Sequence, residues 1–278
     1  VTVYPFWNTI AISFNDGLDA IAGGITLWPR KFTWQNYKAL FTTGQIFNAF
    51  VISVTRTLLQ SVLSVFCTCM LAYALSRKEY VLRKPLTSVL VVSMYVSAGL
   101  IPSYMLIKNL GMLNSYWVYI IPNLVDVFNF ILVRTYINGL PDSFVESARI
   151  DGANEFKIFL GIIFPLIIPS VAMICLFVAV GAWNSWFDTY LYTSAKPNLY
   201  SLQYVLMQFL NSSQNQSNSA ADANSMAVAA AAGSSGSMVT PITLRSSITV
   251  IATVPILVVY PFMQRYFVVG MTIGGVKE

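Results

Sequence analysis

An all-α membrane protein with six transmembrane helices is the fold class this sequence predicts, and three observations predict it. Of its 278 residues, 56% are hydrophobic and only 10% are charged, where a soluble domain carries about a quarter charged residues. The mean hydropathy is +0.65. The apolar residues fall in continuous runs near the roughly 20 residues that one helical crossing needs, not in the roughly 10-residue alternating segments of a barrel strand. Hydrocarbon cannot solvate free N–H and C=O groups, so these runs are expected to be helices.

Six runs can be marked in order. Residues 1–14 begin in mid-run without a methionine and read as the tail of a first span truncated at its N-terminus. A cleaved signal peptide is the weaker alternative, since no charged n-region or cleavage pattern is visible. Residues 47–75, 86–107, 116–137, 156–183 and 248–269 supply the other five. Between the second and third runs lies a compact basic loop, Arg77-Lys78-Glu79-Tyr80-Val81-Leu82-Arg83-Lys84. Arg134, Arg149 and Lys157 surround the loop after the fourth run, and Arg265 and Lys277 flank the end of the sixth. Short basic loops stay in the cytoplasm, and alternation of six helices puts all three clusters on that side.

The opposite side then receives residues 15–45, 108–115 and 184–244. Arg30, Lys31 and Lys38 lie there, and longer loops obey the charge rule poorly. Residues 211–237 are rich in Asn, Ser, Ala and Gly and predict a mobile external loop, because such a stretch cannot bury enough apolar surface to fix itself. The chain as a whole, residues 1–278, reads as one transmembrane domain with a cytoplasmic C-terminal tail over residues 265–278.

Composition also excludes chemistry. There is no histidine, which removes imidazole acid–base work, Ser-His-Asp triads and histidine metal sites. Cys67, Cys69 and Cys175 all fall inside apolar runs and read as packed small residues; Cys67 and Cys69 point to different helix faces and make a poor metal pair. No Gly-x-x-x-x-Gly-Lys-Ser/Thr phosphate loop occurs in the sequence, so nucleotide chemistry, if the protein depends on it, belongs to another subunit.

The most informative polar stretch lies at residues 139–157, between two runs long enough to cross a bilayer. Asn138-Gly139 reads as a helix stop with Gly in the left-handed C-terminal position. Pro141 suits the first turn of a new helix, with Asp142 and Glu146 toward its positive end. That helix is expected to reach Ile150, where Asp151-Gly152 breaks it, and Asn154 caps the next one. Phe144, Val145 and Ala148 then offer an apolar contact, while Glu146 and Arg149 are placed to pair with a partner. A plain surface helix joining two spans is the alternative that the residues alone leave open.

Glu146, Ala148, Gly152, Ile162 and Pro165 stand at the spacing of the EAA loop, and this stretch resembles that loop in ABC importer permeases. Ser147 departs from the usual second Ala, and Phe164 from the usual Leu before Pro165. Trp183-Asn184-Ser185-Trp186-Phe187-Asp188, the run Val254-Pro255-Ile256-Leu257-Val258-Val259-Tyr260-Pro261-Phe262, and the ending Arg265 to Lys277 are similar to carbohydrate-importer permeases of the MalG type, most of all the subgroup for complex oligosaccharides, some derived from alginate or pectin. The likeness covers nearly the whole chain.

The resemblance implies a type I importer permease fold whose cytoplasmic coupling helix sits in a cleft of an ATPase subunit. It implies coupling roles for Glu146, Ser147, Ala148, Arg149, Asp151, Gly152 and Ala153, with Glu146 facing a basic residue. Gly152 would supply the turn, where a side chain would obstruct close approach. Gly274 and Gly275 become candidate tail contacts inside the ATPase dimer. The implied partners are a second homologous permease subunit, two ATP-binding subunits that hold ATP and Mg, an extracellular or periplasmic sugar-binding protein, and the lipid bilayer of a bacterial cytoplasmic membrane. No cofactor, metal, catalytic residue or nucleic-acid partner is expected in this chain.

Polar groups inside the spans have two readings. Asp126 and Arg56 are expensive in hydrocarbon and face a cavity or a partner, either as structural pairing, within the chain or with the sister subunit, or as part of a path. Asn123, Asp126 and Asn129, three apart, are expected on one helix face lining a sugar path. Trp183, Trp186, Tyr190 and Tyr192 suit an interfacial aromatic belt, or stacking on sugar rings with Asn184 and Asp188 at the pore mouth. A self-sufficient ion-coupled secondary transporter using Asp126 and Arg56 is the rival function. It lacks visible repeated halves with broken helices. A membrane-embedded enzyme is a further rival, and it would need convergent catalytic groups that the sequence does not offer.

Overall fold

In the computed structural model, which describes residues 3–42, 45–217 and 239–275, the apolar runs are helical and no strand forms among the described residues. The chain passes through α1 (Tyr4–Ser13), α2 (Gly17–Ile21), α3 (Gln35–Thr42), α4 (Gln45–Ser76), α5 (Arg83–Tyr95) and α6 (Leu100–Asn109). After 3₁₀ turns at Tyr116–Tyr119 and Ile121–Asn123 come α7 (Val127–Asn138), α8 (Ser143–Ile150) and α9 (Glu155–Ile158), the last continued by a π-helical turn at Phe159–Ile163. Then follow α10 (Phe164–Leu166), α11 (Ile168–Asn184), a second π-helical turn at Thr189–Thr193, a 3₁₀ turn at Pro197–Leu199, α12 (Leu202–Ser217) and α13 (Pro241–Gly275).

Proline and glycine decide where the apolar runs stay straight. Among the described residues, α4 alone is long and apolar enough to cross a bilayer unbent. The run at 116–137 bends by 44° between Tyr116–Asn123 and Val127–Asn138, and the run at 156–183 by 83° between Glu155–Leu166 and Ile168–Asn184. Each bend follows or flanks a proline (Pro122; Pro165 and Pro169) that lacks the N–H for the helical ladder. The run at 86–107, expected as one span, is two helices. Gly99 has φ +86, and Pro102 sits in the first turn of α6, where its missing donor is harmless but where continuation from α5 would demand it. So up to three spans, counting each bent pair as one, are formed by length and composition among the described residues, against the six expected.

The chain divides into two compact units. One comprises Val1–Ser53 and Ser185–Val258. In it the segment after α1 folds back on itself: Asp16 caps α2 by accepting from the Leu18 N–H at 3.0 Å, and Phe14 stacks on Phe32 at 5.5 Å. Buried Asn36 donates to the Ser13 and Asn15 carbonyls, both at 2.9 Å. The Leu202 N–H at the start of α12 donates to Ser53 Oγ at 2.8 Å. Helix α12 continues through Ser217, so the first residues of the predicted 211–237 loop are helical; residues 218–238 lie outside the described residues.

The other unit comprises Val54–Asn184 and Val259–Glu278. Its core joins Val65, Cys69, Ala72, Tyr73 and Leu75 of α4 with Phe130, Val133 and Ile137 of α7 and with Ile158, Phe159, Ile163, Ile167 and Ile174 farther on. Val145 and Ala148, three apart on α8, insert into the same core. Burying a valine is worth about 1.5–3 kcal/mol, which fixes one face of a helix only 8 residues long.

Candidate functional site

Helix α8 and its flanks are built by local signals. Phe144 and Val145 donate their N–H groups to the carbonyls of Pro141 and Asp142. Glu146 lies in the first turn and Arg149 in the last, the arrangement the helix dipole favours. At the other end Gly152 has φ +77. Its N–H reaches the Arg149 carbonyl, and the Ala153 N–H reaches back to the Ala148 carbonyl, each at 3.0 Å, which is a Schellman closure. Asn154 then caps α9, its Oδ1 accepting from the Lys157 N–H at 2.8 Å.

Two sequence expectations are corrected here. Gly139 ends α7 with φ −83 in the right-handed region, because a short link to Pro141 needs no reversal of hand. Val145 and Ala148 are 4% and 6% exposed; they face the chain's own core and offer no partner a contact. What α8 turns outward is Phe144, Glu146, Ser147 and Ile150, the last 86% exposed. Ile150 was not singled out from sequence, although a lone isoleucine beside charged residues was its signal. Among the described residues Glu146 makes no ion pair.

Arg149 is held inside the chain. Its guanidinium pairs with Glu79 of the basic loop at 2.5 Å and with Glu155 at the start of α9 at 2.7 Å. The Tyr73 hydroxyl, on α4, donates to the other Glu155 oxygen at 2.6 Å. Arg77 lies 4.9 Å over the Tyr73 ring. Lys78, next to Glu79, pairs with Asp142 at 2.7 Å. The hydrogen bond from Arg149 holds the Glu79 carboxyl down to about 2, and the bond from Lys78 lowers Asp142 in the same way. Sequence reasoning missed Glu79, Lys78, Tyr73 and Glu155 as parts of this site. An acid embedded in a basic run was the available sign. A cleft of about 500 Å³ opens beside the network, floored by Met70, Ala74, Phe156 and Phe159.

The polar residues of the spans are placed differently from one shared helix face. Asn123 closes a 3₁₀ turn and donates to the Tyr119 carbonyl at 3.2 Å. Asp126 is extended and caps α7, accepting from the Asn129 N–H at 2.8 Å, and Asn129 is buried. The break at Pro122 thus takes Asn123 off the helix that carries Asn129. Arg56 is buried in α4 with its guanidinium 4.5 Å over the Tyr119 ring. Trp183 is buried, and Asn184 donates to the Val180 carbonyl at 3.0 Å. In the first unit Trp186 packs against Phe187 and Tyr190, and Asp188 accepts from the Ser185 hydroxyl at 2.7 Å. Gly274 and Gly275 are the last residues of α13, and residues 276–278 of the expected tail lie outside the described residues.

Residues 104–273 match the model of the family described as binding-protein-dependent transport system inner membrane component. The chain belongs to that family. The permease is 35% identical over 277 residues to the polygalacturonan/rhamnogalacturonan transport system permease protein YtcP of Bacillus subtilis, covering 100% of this chain and 93% of that one. It is 28% identical to the arabinooligosaccharides transport system permease protein AraQ of Halalkalibacterium halodurans, over 100% of this chain and 92% of the relative. Among solved structures, the permease superposes with a TM-score of 0.83 and 25% identity on a chain of a bacterial ABC transporter involved in the import of the acidic polysaccharide alginate, covering 96% of this chain and 91% of that one. The permease is thus a membrane component of an ABC transport system.

Proposed function

We propose that the permease imports oligosaccharides or complex carbohydrate across a bacterial cytoplasmic membrane, as one of two homologous permease subunits. On this reading the chain crosses the bilayer six times as one transmembrane domain. A binding protein delivers the sugar outside, and two ATP-binding subunits inside hold ATP and Mg. The ATP-driven closure of those subunits acts on α8 as a coupling helix. Relatives named for polygalacturonan/rhamnogalacturonan and for arabinooligosaccharides, matched over more than nine-tenths of their length, and the alginate importer support the substrate class.

The observation that carries the coupling role is the two-sidedness of α8. Val145 and Ala148 anchor it to the permease core, while Glu146, Ser147 and Ile150 stand free on the outer face. A docked ATPase can therefore push on the helix without unseating it, and the differential contact between its nucleotide states biases a two-state pore. Arg149, Asp151, Gly152 and Ala153 shape the helix end that such a partner would meet. Gly274 and Gly275 are proposed as second contacts. Asn123, Asp126, Asn129, Trp183, Asn184, Trp186 and Asp188 remain the proposed sugar path, with the sister subunit.

The test is uptake of labelled oligosaccharides by vesicles holding the whole complex, with Glu146→Lys and Gly152→Val variants. ATP-dependent uptake that both variants abolish supports the reading. Normal uptake by both sinks the coupling role, and uptake by the purified chain alone under an ion gradient would point instead to a secondary transporter.

A further inference from the structure

The network around Arg149 has an order that the outward face of α8 does not explain. Both ends of the helix are tied to adjacent residues of one loop. Lys78 holds Asp142 at the N-terminal end, and Glu79 holds Arg149 at the C-terminal end. Glu155, on the far side of Arg149, is gripped by the Tyr73 hydroxyl of α4. Tyr73 is itself 5% exposed within the core and has Arg77 stacked over its ring. From Tyr73 to Glu79 is less than two helical turns of chain, continuous with α4.

We propose that residues Lys78 and Glu79 form an ionic strap that ties both ends of α8 to α4, making α4 the element that receives the motion of α8. This rests on the reading of α8 as the coupling helix and names the element it drives. Two routes lead out of α8. One is the covalent route through Asp151–Asn154 into α9, which meets the 83° bend at Ile167 and a π-helical turn before α11. Bends and π-turns absorb displacement. The other is the strap, which enters a helix of 32 residues without a break. A push on α8 spreads into the stiffer element where the strap holds. Lys78 and Glu79 are positioning residues in this scheme and touch neither nucleotide nor sugar.

The pairs are exposed, and exposed ion pairs contribute little to stability. Their loss should therefore alter transmission more than folding. The experiment uses the complete transporter, permease pair with ATPase and binding protein, reconstituted in vesicles. It reads sugar transported per ATP hydrolysed, with co-purification of the ATPase as the control for assembly. For K78Q/E79Q, which breaks both ion pairs, the ATPase should remain bound and hydrolysing, while transport per ATP falls at least about fivefold, the factor that either lost pair alone can command at the upper end of the exposed range. The charge swap K78D/D142K should recover most of what K78D alone loses.

An unchanged ratio in K78Q/E79Q overturns the strap, as does failure of the swap to rescue K78D. If K78Q/E79Q loses the ATPase, the swap decides alone. The Glu146→Lys variant separates this from the reading beneath it. Normal transport by both Glu146→Lys and Gly152→Val removes the coupling helix itself, whereas loss in Glu146→Lys with a normal K78Q/E79Q removes only the strap.

Discussion

Glu79 and Arg149 stand 70 positions apart in the chain, and their side chains meet at 2.5 Å. One partner belongs to the loop after α4 and the other to the last turn of α8. Because Glu155 takes the opposite side of the same guanidinium, Arg149 is committed within the permease. The charge on α8 left for a docking partner is Glu146.

The Glu79 carboxyl should titrate with a midpoint near about 2, against its ordinary 4.5. A carboxyl lowered in the folded protein contributes fully above about pH 4.5, and that contribution is lost as pH falls through about 2. Carbon-13 NMR of a Glu79-labelled permease reads the midpoint directly. Arg149→Gln should return it toward 4.5, and strong salt should raise it, since exposed pairs are screened.

Gly152→Ala should weaken the loop through backbone strain alone. A Cβ at Gly152 meets nothing within 4 Å, yet the residue has φ +77. The steric argument from sequence therefore gives way to a conformational one within the chain, with a cost of about 1–2 kcal/mol. Gly152→Asn should cost less, because Asn tolerates this region. Thermal unfolding of both variants in detergent tests the order, and equal losses would refute it.

Ala148→Leu should destabilise the permease by about 1–3 kcal/mol, the usual cost of overpacking, because Ala148 is 6% exposed in the core. Ser147→Leu, one residue away and exposed, should leave unfolding within about 0.5 kcal/mol of the parent. Its effect, if any, should appear in ATPase binding, read by co-purification.

Asp126→Asn should keep the cap on α7, whereas Asp126→Ala should cost about 0.5–2 kcal/mol. The cap is the bond to the Asn129 N–H, which an amide oxygen can accept as well. Abolished uptake in a normally folded Asp126→Asn variant would mean the carboxylate does more than cap.

What the sequence disclosed followed the range of the interaction. The end of α8 at Ile150, the turn at Gly152 and the cap at Asn154 depend on residues within a few positions, and all three were legible. The helical class was legible from composition. The bend at Ile167 and the division at Gly99 were not, because hydropathy measures apolarity and is blind to direction, although the prolines that cause the bends were in view. A single helical period does not hold across Asn123, Asp126 and Asn129, because Pro122 interrupts the stretch. Nothing local to Glu79 points to Arg149. A contact between residues so far apart in the chain is set by how α4 and α8 pack, and the outward face of α8 was misjudged for the same reason: Val145 and Ala148 are as apolar as a docking patch, and only packing shows which side they serve.

In the six-span reading, the 83° bend leaves α11, of 17 residues, to make its crossing alone, a length of about 25 Å against a hydrocarbon thickness of about 30 Å. A segment shorter than its membrane is met by local thinning of the lipid or by sideways association. In the six-span reading, lipid chain length then becomes a control on this permease. Vesicles of shorter-chain lipids should relieve the mismatch and change the turnover of the assembled transporter, while the straight α4, at 32 residues, would answer the same change by tilting.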